Sequence, residues 1–328
     1  MRARRGGRAL REEGARAGAV STASPRWREA RLAPALDGHK RLGEVDLQLH
    51  GALSTEPDYL TGAAGAKVAV DLRGRTVTPS LGYEFTHDTI GRAETTFATF
   101  SREVSRHALE VGLGLVLGRA TYGSLGLRGV LELGDSSNPY RHVPVFHESI
   151  ADLIQPGLSV DEVNYFRLPM RPLEQLPDGR GRLSVAAALA QRFGPSTLRL
   201  GERLYFDSWG VMATTSTGSF TYGVTKWLGL GPELGFHGQQ GASFYRMVYP
   251  ARESDEGFAM PRYRTSDREL GPLYTLSVGA LARLGFGEPT RWGASLSGDV
   301  AYSKFLRHLF LVDRIAYLGA LNLEVAFE

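Results

Sequence analysis

The chain has 328 residues and a formal net charge of +3 at pH 7, and it contains 40 glycines, 15 phenylalanines and 13 tyrosines but no cysteine. The absence of cysteine excludes a secreted fold that is stapled by disulfides. No apolar run reaches the ~18 residues that a membrane-spanning helix requires. The length allows one large all-β domain or two domains of average size.

The positive charge is concentrated at the N-terminus. Residues 1–18 contain six arginines against Glu12 and Glu13, a net charge of +4, so the rest of the chain carries −1. This arginine-rich arm is predicted to be disordered, because it cannot bury enough apolar surface to offset the entropy lost on ordering. It shows neither interleaved aromatic residues nor an RNA or DNA motif, so nucleic acid is not an expected partner.

The C-terminal segment 317–328 alternates between two faces, as the side chains of a β-strand do. One face is apolar, aromatic or glycine: Tyr317, Gly319, Leu321, Leu323, Val325 and Phe327. The other is small or polar: Ala320, Asn322, Glu324, Ala326 and Glu328. Similar alternation recurs from residue 41 onward and predicts about twelve strands. A soluble β protein and a membrane barrel both fit the last segment alone.

The connections between the predicted strands distinguish these two folds. Short connections are predicted at 74–76, 118–121, 193–196, 227–231 and 286–290, and long ones near 54–64, 87–100, 134–180, 247–270 and 304–314. Short turns at one end and long loops at the other are typical of membrane barrels, as are aromatic bands near both ends. The sequence therefore predicts an all-β fold in residues 19–328, an antiparallel transmembrane β-barrel of about 12–14 strands with long extracellular loops.

The polar faces of the strands predict the lining of the barrel, because a membrane barrel turns its polar side chains inward. The expected lumen-facing residues are Glu44, Asp46, Asp71, Arg73, Arg199, Arg203, Arg283, Arg291, Asp299 and Glu324. Their mixed charge indicates a weakly selective aqueous path rather than a strongly basic or acidic pore. Part of loop 134–180 is expected to fold into or over the lumen, because Ile150, Leu153 and Val163 are too apolar for a solvated loop.

Several segments resemble the outer-membrane β-barrels grouped as domain-of-unknown-function family 3570. The matching stretches are Ala19–Pro25, Ser54–Leu60, Phe85–Gly91, Ser137–Pro144 and Glu202–Trp209. The resemblance implies a barrel without an assigned activity. Members of this family usually have a signal peptide and further strands before the first of these stretches. Residues 1–18 depart from that pattern and lack the apolar core of a signal peptide. The expectation is an N-terminally truncated or mis-started chain whose signal peptide is missing upstream.

No catalytic residue, cofactor or metal ion is predicted. The His87–Asp88 pair is unfavourable for catalysis, because adjacent residues on a strand point to opposite faces. His142, His147 and Glu148 share loop 134–180 with Asp135, Asp152, Asp161 and Glu162, but without the fixed spacing of a calcium site. Ser208 has no histidine near it in the sequence.

The sequence therefore predicts a non-enzymatic outer-membrane protein, most simply a channel or structural envelope protein. Its expected partners are outer-membrane lipid, small solutes and the barrel-assembly machinery, the last through the C-terminal strand. Two alternatives stay open. One is a surface protein whose loops bind a partner, and the other is a lipase-like enzyme, which would need a Ser–His pair on neighbouring strands.

Overall fold

The computed structural model describes residues 31–255, 257–286 and 292–325. The predicted arm 1–18 lies outside these residues. The strands are β1 (Ala35–Leu42), β2 (Val45–Glu56), β3 (Tyr59–Val70), β4 (Val77–Ile90), β5 (Arg102–Gly118), β6 (Thr121–Gly134), β7 (Val145–His147), β8 (Arg180–Phe193), β9 (Ser196–Asp207), β10 (Met212–Gly223), β11 (Leu228–Gln239), β12 (Tyr249–Ser254), β13 (Gly257–Ala259), β14 (Leu273–Phe286), β15 (Trp292–Phe305) and β16 (Asp313–Val325). The helices are α1 (Glu148–Ala151), α2 (Val160–Phe166) and a 3-10 turn, Arg268–Leu270.

Thirteen of these strands form one sheet in chain order, from β1 to β16, without β7, β12 and β13. Every neighbouring pair in this sheet is antiparallel. The predicted antiparallel architecture of about 12–14 strands is thus confirmed. Strand β1 was not predicted, because Asp37, His39 and Arg41 alternate with only two large apolar residues, Leu36 and Leu42.

The sheet has two chemically different faces, because residues paired across strands point to the same side. Leu49 pairs with Ala66 and Leu47 with Val68, on what we term the apolar face. Leu49 is 64% exposed there and Leu323 is 72% exposed. The opposite side, termed the polar face, carries Asp46 and most other charged strand residues. A soluble sheet would bury such a continuous apolar surface against a core, and this one leaves it open.

The predicted long connection at 54–64 is wrong. Strand β2 continues to Glu56 and β3 begins at Tyr59, so only Pro57 and Asp58 form the turn. The strands run on through small and hydroxyl residues that give no apolar alternation. The longer connections are residues 91–101, 135–179, 240–272 and 306–312, and they share one end of the sheet, the long-loop end.

Three of these connections fold together into a separate layer, which we term the cap (residues 135–179, 240–272 and 306–312). Strand β7 pairs in parallel with β12, and β12 pairs with β13. Helix α2 begins with a capping box, in which Ser159 Oγ accepts from the Glu162 amide and the Glu162 carboxylate accepts from the Ser159 amide. The apolar residues of the longest loop therefore belong to a folded unit.

The cap contains most of the buried apolar side chains of the described residues. Two clusters lie wholly within it: Val143, Val145, Tyr249 and Ala251, and Phe146, Ile154, Val163 and Leu309. A third joins it to the β9–β10 turn: Leu176, Trp209, Val211, Ala242 and Leu270. Among the described residues, no helix has both the length and the apolar character needed to cross a bilayer.

Candidate functional site

The predicted lumen residues occupy the polar face and the turns beside it. Six of them lie on strands of this face by their cross-strand pairing: Asp46, Arg199, Arg203, Arg283, Asp299 and Glu324. Asp71 follows the end of β3, whereas Glu44 and Arg73 lie in turns rather than on the face. Arg291 lies outside the described residues.

Only some of these residues are brought together. Asp46 accepts from His39 Nε2 at 2.5 Å, and Asp71 pairs with Arg41 on β1, two strands away. Arg199 and Arg203 share strand β9, whereas Arg283, Asp299 and Glu324 lie on three separate strands. The face is therefore a surface with several local charge groups rather than a single compact site.

Sequence reasoning missed a ladder of buried charges on the polar face below the cap. Arg106 on β5 pairs with Asp88 on β4, and its Nε donates to Glu132 Oε2 on β6 at 2.8 Å. Arg182 on β8 donates to the same oxygen at 2.7 Å. Asp88 is 0% and Glu132 is 2% exposed. The ladder was missed because Asp88 falls in the predicted loop 87–100 and because Arg106 lies where the apolar alternation of β5 has already stopped.

The ladder continues to the β9–β10 turn. Arg180 Nε donates to Asp207 Oδ2 at 2.8 Å, and the Tyr205 hydroxyl donates to the same oxygen at 2.9 Å. The Arg180 guanidinium stacks 4.3 Å from the centre of the Trp209 ring. Trp209 is buried and donates from Nε1 to the Gly179 carbonyl at 3.0 Å.

The cap has its own buried ionic centre at Glu174. Its carboxylate accepts from Arg141 Nη1 at 3.0 Å, from the backbone N–H of Asn138 at 2.8 Å and from the Thr265 hydroxyl. Arg141 also pairs with Asp267 at 3.0 Å. Burial alone would lower the pKa of Arg141, but Glu174 and Asp267 outweigh it and hold that pKa above its ordinary value. This centre joins the loop that follows β6 to the loop that precedes β14.

A half-buried histidine, His308, links the third loop to the rest of the cap. His308 Nδ1 accepts from the amides of Leu311 at 3.0 Å and Phe310 at 3.3 Å. Burial lowers the pKa of His308, and the hydrogen bond to the Ser266 backbone opposes that change. The ring is therefore held neutral between two loops.

The candidate metal and catalytic residues are occupied by structural contacts. His142 Nδ1 contacts the Arg171 carbonyl at 2.9 Å, His147 caps α1, and Glu148 accepts from Arg252 at 2.9 Å. No group of three His, Cys, Asp or Glu side chains in the described ranges is arranged to hold a metal ion. Ser208 Oγ accepts from the Gly181 amide.

His87 and Asp88 point to opposite faces, as expected for neighbours on a strand. Asp88 joins the buried ladder, whereas His87 Nδ1 lies 3.0 Å from Ser105 Oγ on the apolar face. A Ser–His contact between neighbouring strands is thus present. A similar contact, 2.9 Å between Thr215 Oγ1 and His237 Nδ1, occurs on the polar face.

The family of the chain is settled by the match to a family model described as "Protein of unknown function (DUF3570)", which covers residues 8–302. The chain belongs to this family. No curated protein matches it. The resemblance inferred from the loop and strand-end segments is therefore confirmed.

Solved structures with a similar fold include outer-membrane receptors. The siderophore receptor PirA from Acinetobacter baumannii is 9% identical with a TM-score of 0.50, and the match covers 95% of this chain and 50% of the receptor. The ferric enterobactin receptor PfeA from Pseudomonas aeruginosa is 10% identical with a TM-score of 0.51, covering 93% and 51%. The chain thus spans about half the length of these receptors, and the likeness shows an outer-membrane β-barrel fold.

Proposed function

We propose that the chain forms a wall of an outer-membrane β-barrel that passes small hydrophilic solutes. In this proposal the apolar face contacts lipid, the polar face lines an aqueous lumen and the cap covers the extracellular mouth. The observation that carries the proposal is the division of one long sheet into an exposed apolar face and an ion-paired polar face. Lipid removes the apolar face from water, and an aqueous lumen keeps the charges of the polar face hydrated.

The polar face offers space for solutes as well as charge. A cavity of ≈ 500 Å³ opens on it between β1 and β6. Its walls include His50, Lys67 and Glu110, and Lys67 Nζ lies 2.6 Å from Glu110 Oε1. Such paired charges leave the wall hydrophilic without a strong preference for one sign of solute.

Localisation and assembly follow from the same proposal. The outer membrane supplies the lipid partner, and the alternating strand β16 is the segment that the barrel-assembly machinery would recognise. The four longer connections would then face outward from the cell and the short turns inward, as in other membrane barrels.

Conductance in planar lipid bilayers tests this function. The natural full-length protein, purified in detergent from outer-membrane fractions, should migrate as a heat-modifiable species and produce stepwise conductance after insertion. A protein that inserts and is heat-modifiable but never conducts would contradict passage of solutes. In that case the function would be binding of a partner by the cap rather than passage of solutes.

The enzyme alternative has one observation in its favour, the Ser105–His87 contact on the apolar face. Nucleophilic catalysis also needs a group that orients the histidine and donors for an oxyanion. The described residues place neither a carboxylate nor an amide side chain in a hydrogen bond with His87. Hydrolysis of a fluorogenic lipid ester that is lost in Ser105→Ala would favour the enzyme over the channel.

A further inference from the structure

A row of arginines follows strands β8 and β9 along the polar face. We term it the arginine track, and it consists of Arg180, Arg182, Arg192, Arg199 and Arg203. Arg192 lies beside Thr197 near the short turn, and Arg182 lies beside Asp207 near the cap. At ~3.4 Å per strand residue, Arg199 lies roughly 7 Å beyond Arg192, and Arg203 roughly 14 Å further on. The track therefore runs the length of the strands.

The two ends of the track differ in their partners. Arg180 and Arg182 below the cap are bound to Asp207 and Glu132. Arg192, Arg199 and Arg203 form no ion pair with any carboxylate of the described residues, and all three are exposed. Arg192 Nε instead donates to the Gly194 carbonyl at 3.0 Å. Three guanidinium groups thus keep donors free for a ligand.

The residues beside Arg199 and Arg203 are small and leave room for a ligand. On the β8 side, Arg199 pairs with Ala190 and Arg203 with Ala186. On the β10 side they pair with Ser219 and Thr215, which present hydroxyl groups. Small side chains expose the guanidinium forks, and the Ser219 hydroxyl adds a further donor beside Arg199, whereas the Thr215 hydroxyl contacts His237. This combination suits carboxylate and phosphate oxygens.

The carboxylates on this part of the polar face stay apart from the three free arginines of the track, Arg192, Arg199 and Arg203. Glu233 lies at the level of Arg199 but two strands away, across Ser219. Asp299 lies still further along, with its carboxylate over Gly279. The opposite arrangement holds between β3 and β6, where Lys67 and Arg128 have Glu110 and Glu84 as partners. Among the described residues, most of the positive charge without a carboxylate partner on the polar face therefore lies on β8 and β9, and Arg283 on β14 stands apart from it.

We propose that the arginine track binds small anions bearing carboxylate or phosphate groups and passes them along the wall, an inference that rests on the proposed channel function. Free donors at successive levels provide several weak sites in series, which permits both entry and release. The bidentate fork of arginine favours planar carboxylate and phosphate oxygens over a point charge. The proposal differs from the expected weakly selective lumen in that it gives the β8–β9 side of the wall a preference for anions.

The test compares the full-length protein with Arg199→Gln/Arg203→Gln and with Arg199→Lys/Arg203→Lys. Reversal potentials under a KCl gradient should show anion preference in the natural protein, a several-fold loss of it in the glutamine variant and retention in the lysine variant. Binding of tripolyphosphate to the detergent-solubilised protein, measured by equilibrium dialysis, should weaken several-fold in the glutamine variant. Both arginine positions are exposed, so the heat-modifiable fold should persist.

The outcomes separate the two proposals. The arginine-track proposal is overturned by conductance without anion preference, or by an anion preference that is unchanged in the glutamine variant. Either result is still consistent with the channel function. Tripolyphosphate binding that depends on Arg199 and Arg203 in a protein without conductance supports the anion site and contradicts the channel. Absence of both conductance and tripolyphosphate binding overturns both proposals.

Discussion

Glu174 shows how much one side chain can determine in the cap. Its carboxylate is inaccessible to solvent and binds groups from residues 138, 141 and 265, which lie in two different loops. Charged groups are buried at such positions only when they are well paired, because an unpaired buried charge is costly. The sequence marks Glu174 as an ordinary polar loop residue, because its partners are distant in the chain.

Replacing Glu174 with glutamine should loosen the cap by about 1.5–3 kcal/mol, the range for hydrogen bonds to a charged group. Arg141 would keep only Asp267 as its carboxylate partner. Amide hydrogen exchange at residues 138, 176 and 265 should accelerate, while exchange in the sheet should not change. Glu253→Gln, an exposed change in the same cap, is the matched control. Equal protection in both variants would contradict the role assigned to Glu174.

The cap should also lose stability in mild acid through His308. Its pKa is lowered by burial, so the unfolded cap binds a proton more readily than the folded cap. The stabilisation is complete above the ordinary value of 6.5 and is lost as pH falls from there through the lowered pKa of the folded state. Arg268 reinforces the effect, whereas Asp267 opposes it.

Limited proteolysis of the cap between pH 7.5 and pH 5 measures this dependence. Cleavage should increase toward low pH in the natural protein. His308→Asn retains an acceptor for the Leu311 amide without a titratable ring, and its cleavage should vary much less with pH. A similar acid response in both proteins would assign the effect to other groups.

At the scale of single strands, prediction from sequence succeeded where apolar residues alternate and failed where they stop. Strand β5 begins at Arg102, but Glu103, Ser105 and His107 replace apolar residues on its apolar face, so alternation does not reveal its first residues. The strands thus extend past the apolar belt toward the long-loop end. Cross-strand partners such as Asp88 and Arg106 were hidden for the same reason.

Strand β9 contains an exception to the division of faces that can be tested. Glu202 lies on the apolar face near the middle of the strand, where Thr214 and Ser216 each donate to it at 2.5 Å. A carboxylate at this depth is unfavourable in a bilayer. Glu202→Gln should therefore raise the urea midpoint of unfolding in lipid vesicles. Glu110→Gln on the polar face, which removes the partner of Lys67, should not raise it.

The helical part of the cap should restrict passage of solutes. Residues 150–170 contain α2 and the buried side chains Ile154 and Val163, which pack against Leu309. Deleting them should raise single-channel conductance, because the cover of the mouth would be incomplete. Lys226→Gly, in the turn at the opposite end of the sheet, should leave conductance unchanged. Equal conductance in the deletion and the natural protein would exclude a constriction here.

At the scale of the molecule, two kinds of contact coexist. The sheet pairs each strand with its neighbour in the chain, and only the 135–179 and 240–272 segments interrupt this order. This regularity is why composition, alternation and loop rhythm were sufficient to predict the architecture. The cap instead joins distant segments, as in the pairing of Gln175 with Arg264, and no local pattern in the sequence signals such contacts.

The sheet pairs strands that are neighbours in the chain, whereas the cap joins distant segments, so the sheet must form before the cap. The parallel pairing of β7 with β12 requires residues that are about a hundred positions apart, and strands β8 to β11 must first bring them to the same end of the sheet. In the proposed orientation, each cap segment reaches the outer side of the membrane before the cap contacts can form. The mouth closes last, so a nascent wall would remain open to the exterior until its final loops have arrived.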